Sequence, residues 1–397
     1  MKRFSCRHFL VWAIGILTLG AAVGQPIEIP SRADGNQMRV PLRFGESETI
    51  WAVFDTGAPG PGVVITQPGL PDKMGWAHTG KAHIGGAGSG SGSQADVYRG
   101  VDLRMGELKL GDRRVIALPP DLDFVRETRK SGFEGVIGGA VLNRYVVEID
   151  YARARLNLHD PEGFQPPQGS TVLPLSFNGS GHIFVDAQLR QQGGPPIPIR
   201  LVVDTGASHA LSLETSRDQR ITVPENALPR YLGRGINGEI HGRVGRIPEL
   251  HLGDLVLRDL VASFPEPGHM PQLGKRNGNL GMGVLRRFVV FFDYAHQRMV
   301  LQPGPEFEKP FGFTTTGLRV SRWGDLFRVV SLIEDSPAAQ QGIEKNDLLL
   351  AVDGRSMQSM TSDELKELLR QEDRTLRLRV RRGEEVREFE LTTRRLL

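Results

Sequence analysis

Two tetrapeptides in this chain are identical and carry acid–base chemistry in their residue types. Asp55-Thr56-Gly57-Ala58 and Asp204-Thr205-Gly206-Ala207 each follow an apolar run, Ala52-Val53-Phe54 in the first case and Leu201-Val202-Val203 in the second. An Asp closing such a run sits where the chain must turn sharply, and Gly57 and Gly206 permit that turn. Two carboxyl groups brought within a few ångströms of each other do not both ionise easily. One keeps its proton, the other is a base, and the pair shares a proton at intermediate pH. Such a dyad can hold a water, draw a proton from it and polarise a peptide carbonyl at the same time. This chemistry requires no metal, cofactor or covalent intermediate.

Other chemistries find little support. The one cysteine is Cys6, near the start of the chain. His78 and His83 have no acid at metal-ligand spacing, and His182, His241 and His251 are scattered. No Ser-His-Asp order presents itself, and Ser208-His209 reads as part of the loop after Asp204. The run Gly85–Ser93 is rich in glycine but lacks the following Lys and helix of a phosphate cradle, which leaves a hairpin tip or a flexible linker as its readings.

The elements that must position the two aspartates are themselves duplicated. Leu108-Lys109-Leu110-Gly111-Asp112 matches Leu250-His251-Leu252-Gly253-Asp254. Val136-Ile137-Gly138 matches Asn279-Leu280-Gly281, and the stretch Tyr145–Tyr151 matches Phe288–Tyr294. The Asp-Thr-Gly pair is offset by 149 positions and the later pairs by 142 to 143, so one length difference of about seven residues accounts for the whole alignment. It falls between the Asp-Thr-Gly and Leu-x-Leu-Gly-Asp elements. Each copy reads as alternating strands and turns, with Met38–Leu42 and Ile183–Ala187 as first strands and Gly193-Gly194-Pro195-Pro196 as an explicit turn. Two copies of one β-rich unit are expected over 25–165 and 166–310, jointed near Gln165–Ser170.

With these motifs in place, the two halves resemble retropepsin-like aspartic proteases, fused so that the chain is similar to a pepsin-like bilobal enzyme. The resemblance covers about 280 residues. It implies a mainly β fold with one closed barrel per lobe and a substrate cleft between them. It also implies Asp55 and Asp204 as the catalytic pair, with Thr56, Gly57, Thr205 and Gly206 supporting the dyad and the threonines hydrogen-bonding across the interface. Glycine-rich flaps are implied too, with Gly86 and Gly88 in the first copy and Gly235 and Gly238 in the second as candidates. Pro59 departs from the family pattern by withdrawing a backbone N–H from the first loop. Ala58 and Ala207 replace a hydroxyl residue common in pepsin-like enzymes, which implies a dyad titrating at less acidic pH.

Both ends of the chain add further expectations. Lys2, Arg3 and Arg7 precede an apolar stretch from Phe9 to Leu19 and small residues up to Gly24, the pattern of a secretory signal over residues 1–24. An uncleaved anchor is the alternative. Cleavage would leave 46 Lys+Arg (49 less these three) against 46 Asp+Glu and no cysteine, so neither nucleic-acid binding nor thiol chemistry is expected of the exported form. From about Phe311 the repeat gives way to Phe327–Leu332 as a strand, Ser336–Ile343 as a capped turn, Asn346–Gly354 as strand and turn, and Ser362–Leu369 as a helix. Strands at Leu376–Val380 and Val386–Leu391 follow. Residues 311–397 resemble a small α+β PDZ domain of the protease-associated kind, which implies capture of a peptide C-terminus by backbone N–H groups. Gly317 and Leu318 are the candidate contacts, with Gly312-Phe313 as the alternative loop.

Two functions stay open at this stage. One is an exported aspartic endopeptidase acting on protein or peptide substrates, with the PDZ domain recruiting or gating them. The other is an exported, non-catalytic peptide-binding protein that keeps the same folds.

Overall fold

The computed structural model describes residues 24–397; all but the last residue of the expected signal lies outside this range. Alternation builds most of the strands. Ile183–Arg190 buries every second side chain along its latter half, and Thr375–Arg382 does so over most of its length.

The first lobe is a ring of six strands. In spatial order they are Gln37–Phe44, Ile50–Phe54, Gly135–Ile137, Val63–Ile65, Leu108–Ala117 and Ser93–Met105, and the last pairs back onto the first. The second lobe repeats the ring with Ile183–Arg190, Ile197–Asp204, Gly278–Gly281, Leu211–Leu213, Leu255–Pro265 and Gly238–Leu252, closed in the same way. Closure leaves no unpaired edge within either ring. In both lobes the strand that ends at the Asp-Thr-Gly loop runs parallel to the short strand of the second repeat motif. Phe54 lies opposite Ile137, and Val203 opposite Leu280.

A six-stranded sheet ties the lobes together. Its central pair is Val146–Asp150 against Phe288–Asp293, with Ile149 opposite Val290. Arg155–His159 and Arg298–Pro303 flank that pair, and Ile27–Pro30 and Thr171–Pro174 form the edges. Each half of this sheet comes from one copy of the repeat. The lobes also share one hydrophobic core, in which Phe54, Leu42, Phe288 and Phe292 are fully buried. Burial of side chains this size contributes roughly 1.5–3 kcal/mol each, so the two lobes are held as one body.

The remainder forms a separate sheet with its own core, including Phe327, Val329, Leu349, Leu365 and Val380. Its helix Ser362–Leu368 opens with a capping box between Thr361 and Glu364. The expected elements form, and an additional edge strand, Leu318–Trp323, starts within the segment expected to be the binding loop. This domain rests on both lobes, and it meets the second where Arg246 donates to the Phe311 and Leu397 carbonyls at 3.2 Å each and Arg286 Nη1 donates to Asp363 at 3.4 Å. Ser362 donates through its N–H and Oγ to Asp34 at 2.9 Å each, Tyr151 donates its hydroxyl to Asp363 at 3.1 Å, and Gly324 N–H donates to the Lys130 carbonyl at 2.7 Å. Among the described residues no helix is long and apolar enough to cross a membrane.

Candidate active site

The two Asp-Thr-Gly loops meet at the interface between the lobes. Thr56 and Thr205 are buried there and exchange hydrogen bonds with near-perfect two-fold symmetry. Thr56 N–H donates to Thr205 Oγ1 at 3.0 Å, and Thr205 N–H donates to Thr56 Oγ1 at 3.0 Å. Each hydroxyl then donates to the main chain of the opposite strand at 2.8 Å, Thr56 to Val203 O and Thr205 to Phe54 O. All four polar groups are thereby satisfied in a buried setting, where leaving one unpaired would cost about 1–3 kcal/mol. This grip sets the separation of the adjoining aspartates.

The carboxyl groups of Asp55 and Asp204 face each other, and Gly206 N–H reaches Oδ1 of both. Gly57 N–H donates to Asp55 Oδ1 at 2.6 Å, and Gly206 N–H lies 3.2 Å from the same oxygen. Asp204 Oδ1 accepts from Gly206 N–H at 3.0 Å and Ala207 N–H at 2.9 Å, and its Oδ2 accepts from Asn279 Nδ2 at 2.8 Å. The lobes therefore differ: Ala207 N–H reaches a carboxylate, while Ala58 N–H donates to the Asp55 carbonyl at 3.2 Å. Burial, followed by the Asp204 charge, holds the Asp55 carboxyl well above the usual carboxylate range. Gly206 is required by this close approach, because a Cβ there would stand 2.5 Å from the Asp55 carboxyl carbon.

Three further side chains surround the pair. His209 Nε2 is 3.2 Å from Asn279 Oδ1, and burial pushes its imidazole below the usual histidine range. His182 is pushed the same way, mainly by burial, and feels the Asp204 charge. The Tyr294 hydroxyl is buried without a hydrogen-bond partner among the described residues, and burial, then Asp55, raise it. Among the described residues no group of three or more His, Cys, Asp or Glu side chains is placed to hold a metal ion.

Each lobe extends a hairpin from its ring, and the two tips meet. The first joins His78–Ile84 to Ser93–Met105 through residues 85–92; the second joins Leu228–Gly235 to Gly238–Leu252 through Ile236 and Asn237. The tips hold eight residues and two, but the strands of the second hairpin are longer, and the expected match of Leu108–Asp112 to Leu250–Asp254 does not hold in space: the first opens the strand after a turn at Gly106-Glu107, whereas the second closes the strand before the equivalent turn and ends within it, at Gly253-Asp254. Gly86 N–H donates to Asn237 Oδ1 at 3.0 Å, Asn237 N–H to Ala87 O at 3.0 Å and Gly90 N–H to Asn237 O at 2.7 Å. Gly88 N–H donates to His269 O at 2.8 Å. Gly235 lies against the Ala87 carbonyl, where a Cβ would overlap it, and Gly238 begins the return strand with a φ of 111°. The glycine run is thus a hairpin tip docked on its counterpart rather than a linker.

Pro59 withdraws no hydrogen bond from the dyad. The N–H groups on Asp55 come from Gly57 and Gly206, and those on Asp204 from Gly206 and Ala207, so neither lobe uses the position occupied by Pro59 and Ser208. Gly317 and Leu318 differ from expectation in what their N–H groups do. Both are buried, and they donate within their own loop, to Thr314 Oγ1 at 3.1 Å and Thr316 Oγ1 at 3.2 Å. The run of three threonines supplies internal acceptors, so neither N–H is free for a carboxylate in this conformation. Asn279 and His209 are the site residues that sequence reasoning missed. The signal was present in the repeat, where Asn279 stands against Val136.

The paired rings, their shared sheet and the facing Asp-Thr-Gly loops define a pepsin-like architecture of two tandem lobes. Residues 186–284 match the family model described as aspartyl protease, and residues 328–382 match that described as PDZ domain. The first match spans much of the second lobe, and the first lobe repeats its topology strand for strand. No curated protein matches the chain. The chain thus combines aspartyl-protease-type lobes with a PDZ domain.

Proposed function

We propose that this protein is an aspartic endopeptidase that hydrolyses peptide bonds with a water activated between Asp55 and Asp204. The observation that carries the reading is the pair itself: two carboxyls brought to one backbone N–H, that of Gly206, each at the same place in a duplicated unit, with one held well above its ordinary range. The ionised member takes a proton from the water as its oxygen attacks the scissile carbonyl carbon. The protonated member gives its proton to the carbonyl oxygen, forming a tetrahedral diol. Collapse of the diol breaks the C–N bond, the amine nitrogen takes up a proton from the dyad, and one water is consumed for each acid and amine released.

The docked hairpins are read as paired flaps, with Gly86, Gly88, Gly235 and Gly238 allowing main chain to approach an extended peptide closely. The PDZ domain is read as recruiting or gating substrate. Its strand Leu318–Trp323 and helix Ser362–Leu368 both touch the lobes, which supports gating: Arg319 stacks over Tyr231 of the second hairpin at 5.8 Å, and Ser362 bonds Asp34. The N-terminal pattern supports export to the periplasm or beyond, with a mature protein starting at Gln25, which N-terminal sequencing reads directly.

The test is incubation of the mature protein with casein or a peptide library across pH 3–8, beside Asp204→Asn. Cleavage by the wild type alone is expected, and equal cleavage by both would reject the dyad.

A further inference from the structure

We propose that Asn279, held by His209, fixes the polarity of the dyad, so that Asp204 carries the negative charge and Asp55 carries the proton. This rests on reading the pair as a catalytic dyad, and it names Asn279 and His209 as positioning residues.

An ionised carboxylate only accepts hydrogen bonds, while a protonated one needs an oxygen free to carry its hydrogen. Asp204 receives N–H donors on both oxygens: Gly206 and Ala207 on Oδ1 at 3.0 and 2.9 Å, and Asn279 Nδ2 on Oδ2 at 2.8 Å. A proton on either oxygen would face a donor already in place. Asp55 differs, because both of its N–H contacts, from Gly57 and Gly206, fall on Oδ1. Its Oδ2 meets no N–H among the described residues and can bear a hydrogen.

The orientation of Asn279 is set from behind. With its amide nitrogen toward Asp204, its Oδ1 faces His209 Nε2 at 3.2 Å and accepts from a neutral imidazole protonated there. The flipped amide would oppose its carbonyl to the carboxylate and, with that tautomer of His209, N–H to N–H. The first lobe cannot reproduce this relay, because its equivalent positions hold Val136 and Gly60. Charged and titratable groups around the relay are few. Asp204 is faced by Asp55, His182, His209 and Arg276, whose charge is offset by Glu214 at 2.7 Å; Tyr294 faces Asp55, and Arg319 of the PDZ domain faces His209. Burial disfavours the charged form of His209, which favours its role as a single N–H donor.

The experiment is a carbon-13 carboxyl titration of Asp-labelled full-length mature protein, with the two resonances assigned from Asp55→Asn and Asp204→Asn. Asp204 should follow the lower transition and Asp55 the upper. Asn279→Val, which installs the first lobe's residue, should raise the lower transition by about one pH unit, the scale of one lost charge-assisted hydrogen bond. The acid limb of kcat/KM should move with it while KM stays nearly constant. His209→Phe should shift it the same way by less, and His209→Gln, which keeps an N–H donor, should restore it. A lower transition belonging to Asp55 would overturn the proposal. So would a folded Asn279→Val variant with both transitions unmoved; should that variant not fold, the His209 pair decides by the same criterion. Absence of hydrolysis by the wild type at every pH would reject the peptidase reading, while the titration would still decide the polarity.

Discussion

At the scale of single residues, the dyad combines symmetric support with asymmetric charge. The threonine grip is two-fold, at 3.0 Å on each side, yet the carboxyls it places have different neighbours. Asp55 carries a consequence for stability. Its folded-state pKa is raised above the unfolded value of about 3.9. A carboxyl raised in this way contributes stability that is fully present below the unfolded value and is lost as pH rises through the folded one. Asp55→Asn keeps the shape and removes the charge, so its advantage in melting temperature over the wild type should grow from pH 4 to pH 8. A difference constant across that range would contradict the assigned shift. The aspartates, threonines and glycines of the site were legible because the motif occurs twice at matched places in a repeat. Asn279 and His209 were not read, because their roles depend on a parallel pairing that brings Gly278–Gly281 beside the Asp204 strand. His209 lies five residues past Asp204 and reaches it only through Asn279, a path that sequence order does not display.

At the scale of elements, the strands were legible from alternation and the hairpins from their glycines, but the partners of the strands were not. Tyr145–Tyr151 and Phe288–Tyr294 were matched as repeats, and nothing local shows that their strands pair with each other to join the lobes. The docked hairpin tips are another long-range result. Asn237 makes three of the four main contacts there, one through its side chain and two through its backbone. Asn237→Ala keeps the backbone bonds and loses the acceptor for Gly86 N–H. Amide hydrogen exchange over residues 85–92 should rise about five-fold or more, the equivalent of one hydrogen bond of about 1 kcal/mol, with the barrel strands unchanged. Unaltered exchange at Gly86 would show that the side chain does not latch the tips.

At the scale of the whole molecule, duplication explains why one chain carries two incomplete sites. Each lobe supplies one carboxyl, one threonine of the grip and one hairpin, and neither supplies the pair of carboxyls alone. The PDZ domain adds a third body, seated on the first lobe through Asp34, Lys130 and Tyr151 and on the second through Arg246 and Arg286. Its fold was legible from its helix cap and alternating strands. Its seating was not, because Asp34 and Ser362 are 328 positions apart and carry no local mark of their pairing. The central claim is that the two halves make one site. Titration calorimetry of the mature protein with a statine-type peptide, which mimics the tetrahedral intermediate, tests it most directly. One ligand bound per chain is expected, with affinity falling about a hundred-fold or more in both Asp55→Asn and Asp204→Asn. Two ligands per chain, or full affinity in either variant, would contradict it.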